Sequence, residues 1–246
     1  MRRLFTPRWI LIHCAIGVLS VLMVFLGIWQ LNRLDERRTR NAAIEANTQM
    51  DIATATQALG APEDEWRRVI LSGRYLAESE VSVINRSQDG VAGDNIAVVF
   101  ETENNGLFLV NRGFVPLTVN SRSLPEDPLS IVGFIRPNQT RGALGAIDSS
   151  TKGTKEFQRF DLERIKSSLN VNINTTYYVQ LIKESPSLNA PWPMPVPFPE
   201  VDEGPHFSYA MQWFFFSFVA IAGWAVVIAR KIREGASDPA LEQTSA

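Results

Sequence analysis

Cysteine is almost absent from this chain: the one thiol, Cys14, lies inside an apolar run. Such a chain forms no internal disulfide, offers no Cys-x-x-Cys pair for copper or thiol exchange, and has no Cys-x-x-Cys-His for covalent haem. Histidine is nearly as scarce, with only His13 and His206. There is no nucleophile elbow, zinc motif or glycine-rich phosphate loop, and Gly142-Ala143-Leu144-Gly145 reads as an ordinary loop. A formal net charge of −2 provides no basic field for nucleic acid.

Charge is also missing locally. Trp9 to Leu31 and Phe207 to Ala229 each run for 23 residues without Asp, Glu, Lys or Arg. As a helix such a run reaches about 34 Å, enough to cross a hydrocarbon core of about 30 Å. The first run follows Arg2-Arg3, yet it exceeds the h-region of a signal peptide and no small-x-small site precedes Asn32-Arg33, so it reads as an uncleaved anchor. Arg230, Lys231 and Arg233 follow the second run, whereas acidic Glu200, Asp202 and Glu203 precede it. That bias predicts both termini in the cytoplasm of a bacterium, a two-pass plasma-membrane protein, and the middle of the chain on the outer side.

The predicted organisation is a cytoplasmic N-terminus at 1–8, a first span at 9–31, an outer domain at 32–184, a proline-rich tether at 185–206, a second span at 207–229 and a cytoplasmic tail at 230–246. The fold class is two transmembrane α-helices flanking an extracytoplasmic α+β domain that is mainly antiparallel sheet. The residues from Asn32 to Leu59 read as a helix continuing out of the first span up to Gly60-Ala61-Pro62, with Asp35-Glu36-Arg37-Arg38 as a solvated face. Strands are expected at Val69 to Tyr75, Val81 to Ile84, Ile96 to Phe100, Leu107 to Val115, Leu129 to Ile135 and Tyr177 to Ile182. Asn104-Asn105-Gly106 should join two of them as a hairpin, and Asp161 should cap a short helix ending at Leu169 with Leu162 and Ile165 on its apolar face. Seven prolines between Pro186 and Pro205 predict a stiff spacer, with Pro191 to Pro199 covering about 28 Å if extended.

Depth separates the two histidines, since His13 lies near the cytoplasmic end of its span and His206 at the outer end of the other. His13 beside Cys14 is either a metal pair or a structural residue. On a helix, positions 206, 209, 213 and 217 follow one stripe, which aligns His206, Tyr209, Trp213 and Ser217 with Gln212 flanking, while the first span brings Trp29, Gln30 and Arg33 to the same depth. Two readings stay open on this pattern: a site for a planar iron cofactor with paired propionates, or an aromatic belt with an interfacial histidine.

Three stretches resemble the surfeit-locus family of cytochrome c oxidase assembly factors: Leu26-Gly27-Ile28-Trp29-Gln30-Leu31-Asn32-Arg33, Leu109-Val110-Asn111-Arg112-Gly113-Phe114-Val115-Pro116 and His206-Phe207-Ser208-Tyr209-Ala210-Met211-Gln212-Trp213. Arg68-Val69 with Gly73-Arg74-Tyr75 adds a weaker fourth. Phe207 stands where the family often has leucine, Phe114 where tryptophan is common, and Gly204-Pro205 where an Asn-containing approach is frequent. The resemblance implies a non-enzymatic membrane protein that aids delivery of haem a to the largest subunit of a haem-copper oxidase in the respiratory chain. In that picture His206 is the iron ligand, Trp29, Tyr209 and Trp213 flank the macrocycle, Arg33 meets a propionate, and Gln30 or Gln212 bonds a polar substituent. Haem a synthase or a respiratory supercomplex are further expected partners, besides membrane lipid. The alternative is a cofactor-free scaffold or accessory subunit, with Asn111, Arg112 and Gly113 as a strand-end turn in a docking surface.

Overall fold

The computed structural model describes residues 6–54, 64–104, 106–119, 123–148, 153–187 and 190–236. The expected break at Gly60-Ala61-Pro62, the turn residue Asn105, the leading Arg2-Arg3 and the tail from Ser237 lie outside these. The chain forms two compact units, one comprising residues 1–42 and 201–246, the other Ala43–Glu200.

Helix α1 runs unbroken over Pro7–Gln49 and α3 over His206–Ala236. Both are long and apolar enough to cross a membrane. Helix-forming side chains carry α1 well past its apolar run, but not to Leu59 as the composition predicts. The chain turns at Met50, whose carbonyl accepts from Arg68 Nη2 at 3.3 Å, and Ala53–Thr54 becomes strand β1. Pairing of β1 with Val69 and Ile70 outweighs local helix propensity there.

The second unit is a barrel. Strands β2 (Arg68–Gln88), β3 (Val91–Thr102), β4 (Leu107–Pro116), β5 (Leu129–Pro137) and β7 (Tyr177–Ser185) follow the order β2-β3-β4-β7-β5, and β5 returns to β2. Most ladders are antiparallel, whereas β4–β7 is parallel, as are the short pairings of β1 and of β6 (Glu156–Phe157) with β2. The two strands expected at Val69–Tyr75 and Val81–Ile84 are a single strand. Its ladder to β3 slips between Leu76 and Val81, and there Ser79 Oγ accepts from Val99 N at 2.9 Å, so the slip leaves that amide satisfied. The expected β3–β4 hairpin is present, with Phe100 opposite Phe108.

Alternate side chains fill the barrel: Val69 and Leu71, Val98 and Phe100, Val110, Ile131 and Val179. Strand β4 is buried on both faces, because helix α2 (Leu162–Leu169) covers the outside with Leu162 and Ile165 over Val99 and Leu109. Asp161 caps α2 as its sequence predicts, its side chain accepting from Arg164 N.

The stretch Asn111-Arg112-Gly113 is not a docking turn. It lies within β4, with Asn111 and Arg112 only 2% and 3% exposed. The β3 ladder slips here, since Ile96 faces Gly113 and Ala97 faces Asn111, leaving Arg112 as the extra residue of a bulge. Arg112 Nε donates to Glu184 Oε1 at 3.0 Å and its Nη1 to Ser123 O at 2.8 Å, while Tyr75 Oη donates to the same Glu184 oxygen at 2.9 Å. Burial, followed by the Glu184 charge, pushes the Tyr75 hydroxyl above its ordinary range.

Gly113 has φ +135°, and a Cβ built on it would lie 2.0 Å from Met194 O. Only glycine both adopts that conformation and admits the neighbouring strap. The expected spacer is in fact that strap, held along the barrel. Met194 and Phe114 exchange two backbone hydrogen bonds of 2.7 and 2.9 Å, Gln88 and Gln180 donate to Pro195 O and Val196 O, and the Phe198 ring meets Trp66 at 5.1 Å and Phe134 at 5.4 Å.

The Arg112–Glu184 pair yields a direct test. Arg112→Met leaves a buried carboxylate without its cation and should cost about 3–5 kcal/mol in denaturant unfolding of the purified protein, while Arg112→Met with Glu184→Leu should regain most of that. Equal destabilisation in the single and double variants would show that side-chain volume, not the stranded charge, sets the loss.

Candidate functional site

The site assembles on the first unit, where α1 and α3 run antiparallel. Three hydrogen bonds fix the alignment: Trp224 Nε1 donates to His13 Nδ1 at 2.9 Å, Ser217 Oγ to Ser20 O at 3.1 Å, and His206 Nδ1 meets Gln30 Oε1 at 2.8 Å. Small residues hold the contact line between them. Ser20, Ala210 and Ser217 are buried, and a Cβ on Gly27 would lie 2.4 Å from the Phe214 ring.

His13 belongs to this pairing. It accepts from Trp224, and the two rings meet edge to face at 5.1 Å, while Cys14 is exposed. Among the described residues no group of three or more His, Cys, Asp or Glu could hold a metal ion.

The inward stripe of α3 passes through His206, Ala210 and Ser217, so two of the expected site residues sit elsewhere. Tyr209 is 47% exposed and Gln212 also faces outward. On α1, Trp29 is likewise 47% exposed and Arg33 pairs with Glu36 one turn on. Trp213 is half-buried, with Phe216 edge-on at 6.3 Å. Of the seven residues, then, the structure bonds His206 to Gln30, half-buries Trp213 and leaves the others on outward faces.

With the Gln30 amide oxygen as acceptor, His206 Nδ1 is the donor, and the Nδ1–H tautomer of an imidazole carries its lone pair on Nε2. The ring opens α3 directly after the Gly204-Pro205 turn, in which Gly204 has φ +66°. A Cβ on Gly204 would lie 3.7 Å from His206 Nε2 and 3.6 Å from Arg37 Nη2, so a guanidinium and the imidazole converge there.

Sequence reasoning missed the groups that hold this turn. Arg38 grips Glu203 through Nε and Nη2, both at 2.8 Å, Arg37 stands 3.8 Å from Asp202, and Asn41 Nδ2 donates to Asp202 O at 2.7 Å. The run is exposed as its sequence predicts, and two of its residues, Arg37 and Arg38, also form a clasp on that solvated face. Its signal lay in the arginines after the first apolar run and the acidic Glu200, Asp202 and Glu203 before the second, which sequence reasoning used separately, the one as a solvated face and the other for orientation.

The hydrogen bond from Arg38 holds the Glu203 carboxyl below the usual carboxylate range, and the same bond raises Arg38. A carboxylate with a lowered folded value supports the clasp above its ordinary range and loses it as pH falls through the lowered value. In a Cys14→Ser background, a spin label at Val201→Cys should stay restrained at neutral pH and gain mobility only below 4.5, the ordinary glutamate value. With Arg38→Ala added it should be mobile throughout; identical spectra with and without Arg38 would refute the clasp.

The model of the SURF1 family matches residues 17–218, which covers most of α1, the whole barrel and the first part of α3. The chain is similar to a SURF1-like protein of Rickettsia bellii, 24% identical across 92% of each chain. It is equally similar to an uncharacterised SURF1-like protein of Mycobacterium tuberculosis, 24% identical over 96% of this chain and 91% of that one. The cytochrome oxidase assembly protein SHY1 of Saccharomyces cerevisiae is 30% identical over 139 residues, 51% of this chain and 36% of the yeast protein.

Proposed function

The chain belongs to the SURF1 family, and from that premise we propose that it serves assembly of haem-copper cytochrome c oxidase, transiently holding haem a for the largest subunit with His206 as iron ligand. One observation carries the finer part of this reading. The Nδ1 bond to Gln30 orients the ring and leaves Nε2 as an aprotic donor, the arrangement by which second-partner hydrogen bonds prepare a histidine for a metal.

The donor set fits the group. Haem supplies an iron that takes an axial nitrogen and two propionates that call for cations. His206 offers the nitrogen. Arg37, whose guanidinium converges on the same point as Nε2 and stands 3.8 Å from Asp202, is a second cation for a propionate beside Arg33, which pairs with Glu36. Trp213 is positioned to lie against the macrocycle, with Trp29, Tyr209 and Gln212 on adjoining outward faces available to cover it or bond its edge.

Both helices then cross the plasma membrane with the termini in the cytoplasm and the barrel outside, because Arg230, Lys231 and Arg233 follow α3. The protein acts as a carrier rather than an enzyme, as family members act in assembly. Haem a synthase is the natural donor, and the oxidase's largest subunit, alone or in a supercomplex, the acceptor.

Purification from cells making haem a provides the test. His206→Ala should lose bound haem and its spectrum, and Gln30→Leu should weaken binding by about 10- to 100-fold while keeping the fold. Unchanged occupancy and spectrum in His206→Ala would refute the ligand assignment. Oxidase contacts persisting in cells without haem a would instead favour the cofactor-free scaffold.

A further inference from the structure

Arg37, Arg38 and Asn41 follow Leu34 on α1 at helical spacing, so one stripe of the helix carries all three to the approach to α3. Leu34 is buried and marks that stripe as the covered one. Beyond it the three polar side chains divide the approach between them. Arg38 holds Glu203 through two hydrogen bonds of 2.8 Å, and Asn41 holds the Asp202 carbonyl at 2.7 Å. The turn is therefore tied down without Arg37.

Arg37 makes a different kind of contact. Its Nη2 stands 3.8 Å from Asp202 Oδ1, beyond hydrogen-bond reach, with the two side chains 46% and 63% exposed. An ion pair of that length and exposure contributes little and breaks readily. The same Nη2 borders the notch at Gly204, where a Cβ would lie 3.6 Å from it and 3.7 Å from His206 Nε2. Gly204 has φ +66°, a conformation that favours glycine, so the bend of the turn and the notch have one cause. One nitrogen thus lies between a carboxylate of its own chain and the space beside the candidate ligand atom.

We propose that Arg37–Asp202 is an exchange contact: Arg37 leaves Asp202 for a carboxylate of the group held at His206 Nε2, and returns to Asp202 when that group departs. The proposal rests on the reading of His206 given above and adds to it how the site takes up and releases what it holds. A charge-assisted hydrogen bond to a guanidinium is stronger than a pair at 3.8 Å, so Arg37 favours the incoming carboxylate while Nε2 keeps it close. Asp202 is tethered to the turn and stays at hand, so it recovers the guanidinium afterwards. Arg33 is less free to exchange, since Glu36 meets it at 2.5 Å.

The two members of this ion pair then act in opposite directions. Loss of Asp202 removes a competitor for the guanidinium, whereas loss of Arg37 removes the partner of the incoming carboxylate. A pair that only braced the turn would make both losses alike.

The test titrates the full chain in detergent with ferric protoporphyrin IX, which carries two carboxylates, and with its dimethyl ester, which carries none. Binding is read from the Soret band, and each variant is compared with the wild type for the same porphyrin. Asp202→Asn should tighten the diacid about two- to fivefold and Arg37→Ala should weaken it about three- to tenfold. The double variant should match Arg37→Ala, and the ester should bind all of them alike. Asp35→Asn, which removes an equal charge two residues before Arg37, should change neither porphyrin. Unchanged or weaker diacid binding in Asp202→Asn overturns the exchange and leaves the haem reading standing. An equal gain in Asp35→Asn, or with the ester, reduces the effect to net charge and overturns it as well. A wild type that binds neither porphyrin overturns the haem reading itself, and the exchange falls with it.

Discussion

An imidazole that gives its Nδ1 proton to a fixed acceptor holds the lone pair of its other nitrogen ready for a different partner. In this chain the acceptor is Gln30, and nearly everything around the helix pair bears on keeping that bond in place. Gly27, one turn before Gln30, admits the Phe214 ring, and Ser217 bonds the α1 backbone midway along the contact. At the other end His13 accepts from Trp224, so the register of α1 against α3 is fixed at three levels. A slip of one residue would turn Gln30 by about 100° around its helix and leave His206 without it. The Arg38–Glu203 and Asn41–Asp202 ties then set the approach to α3.

The two histidines show what the bond to a neighbour decides. Each lies near one end of a span and each has a hydrogen bond across the helix pair. At His13 the ring accepts at Nδ1 from an indole that can only donate, which commits that lone pair to packing. At His206 the partner is an amide oxygen, which calls for Nδ1 as donor, and that tautomer carries its lone pair on Nε2. The same residue type is thus a packing element at one end of the pair and a ligand candidate at the other, by the polarity of one contact.

Much of this was legible because it rests on periodicity and local chemistry. The two apolar runs, the β3–β4 hairpin, the cap of α2 by Asp161 and the level shared by Gln30 and His206 all follow from spacing along the chain. What was not legible depends on contacts distant in sequence. Nothing local says that β2 continues through Ala77-Glu78-Ser79-Glu80, because continuity there depends on Ser79 bonding an amide twenty residues away. Tyr209 was aligned with His206 because 3.6-residue geometry lets either the 209 or the 210 side of the stripe face a neighbour, and the small side chain of Ala210 settled it. Prolines predict extension but not what an extended segment lies against, so the sequence alone reads the strap on Gly113 as a stiff spacer.

The Asn111-Arg112-Gly113 stretch carries the lesson about motifs furthest. Its residue types, an amide, a cation and a glycine, look like surface chemistry, and its position in the family resemblance invites a docking role. Each type is used internally instead. The Asn111 side chain accepts from Gly113 N, Arg112 enters the barrel to meet Glu184, and Gly113 opens the backbone to Met194. Bulge, buried cation and strap are one arrangement, because the extra residue that breaks the ladder also lets Arg112 turn inward and Gly113 face the strap. A motif shared within a family therefore marks a constraint, and burial decides whether that constraint serves the fold or a surface: here the barrel motif serves the fold.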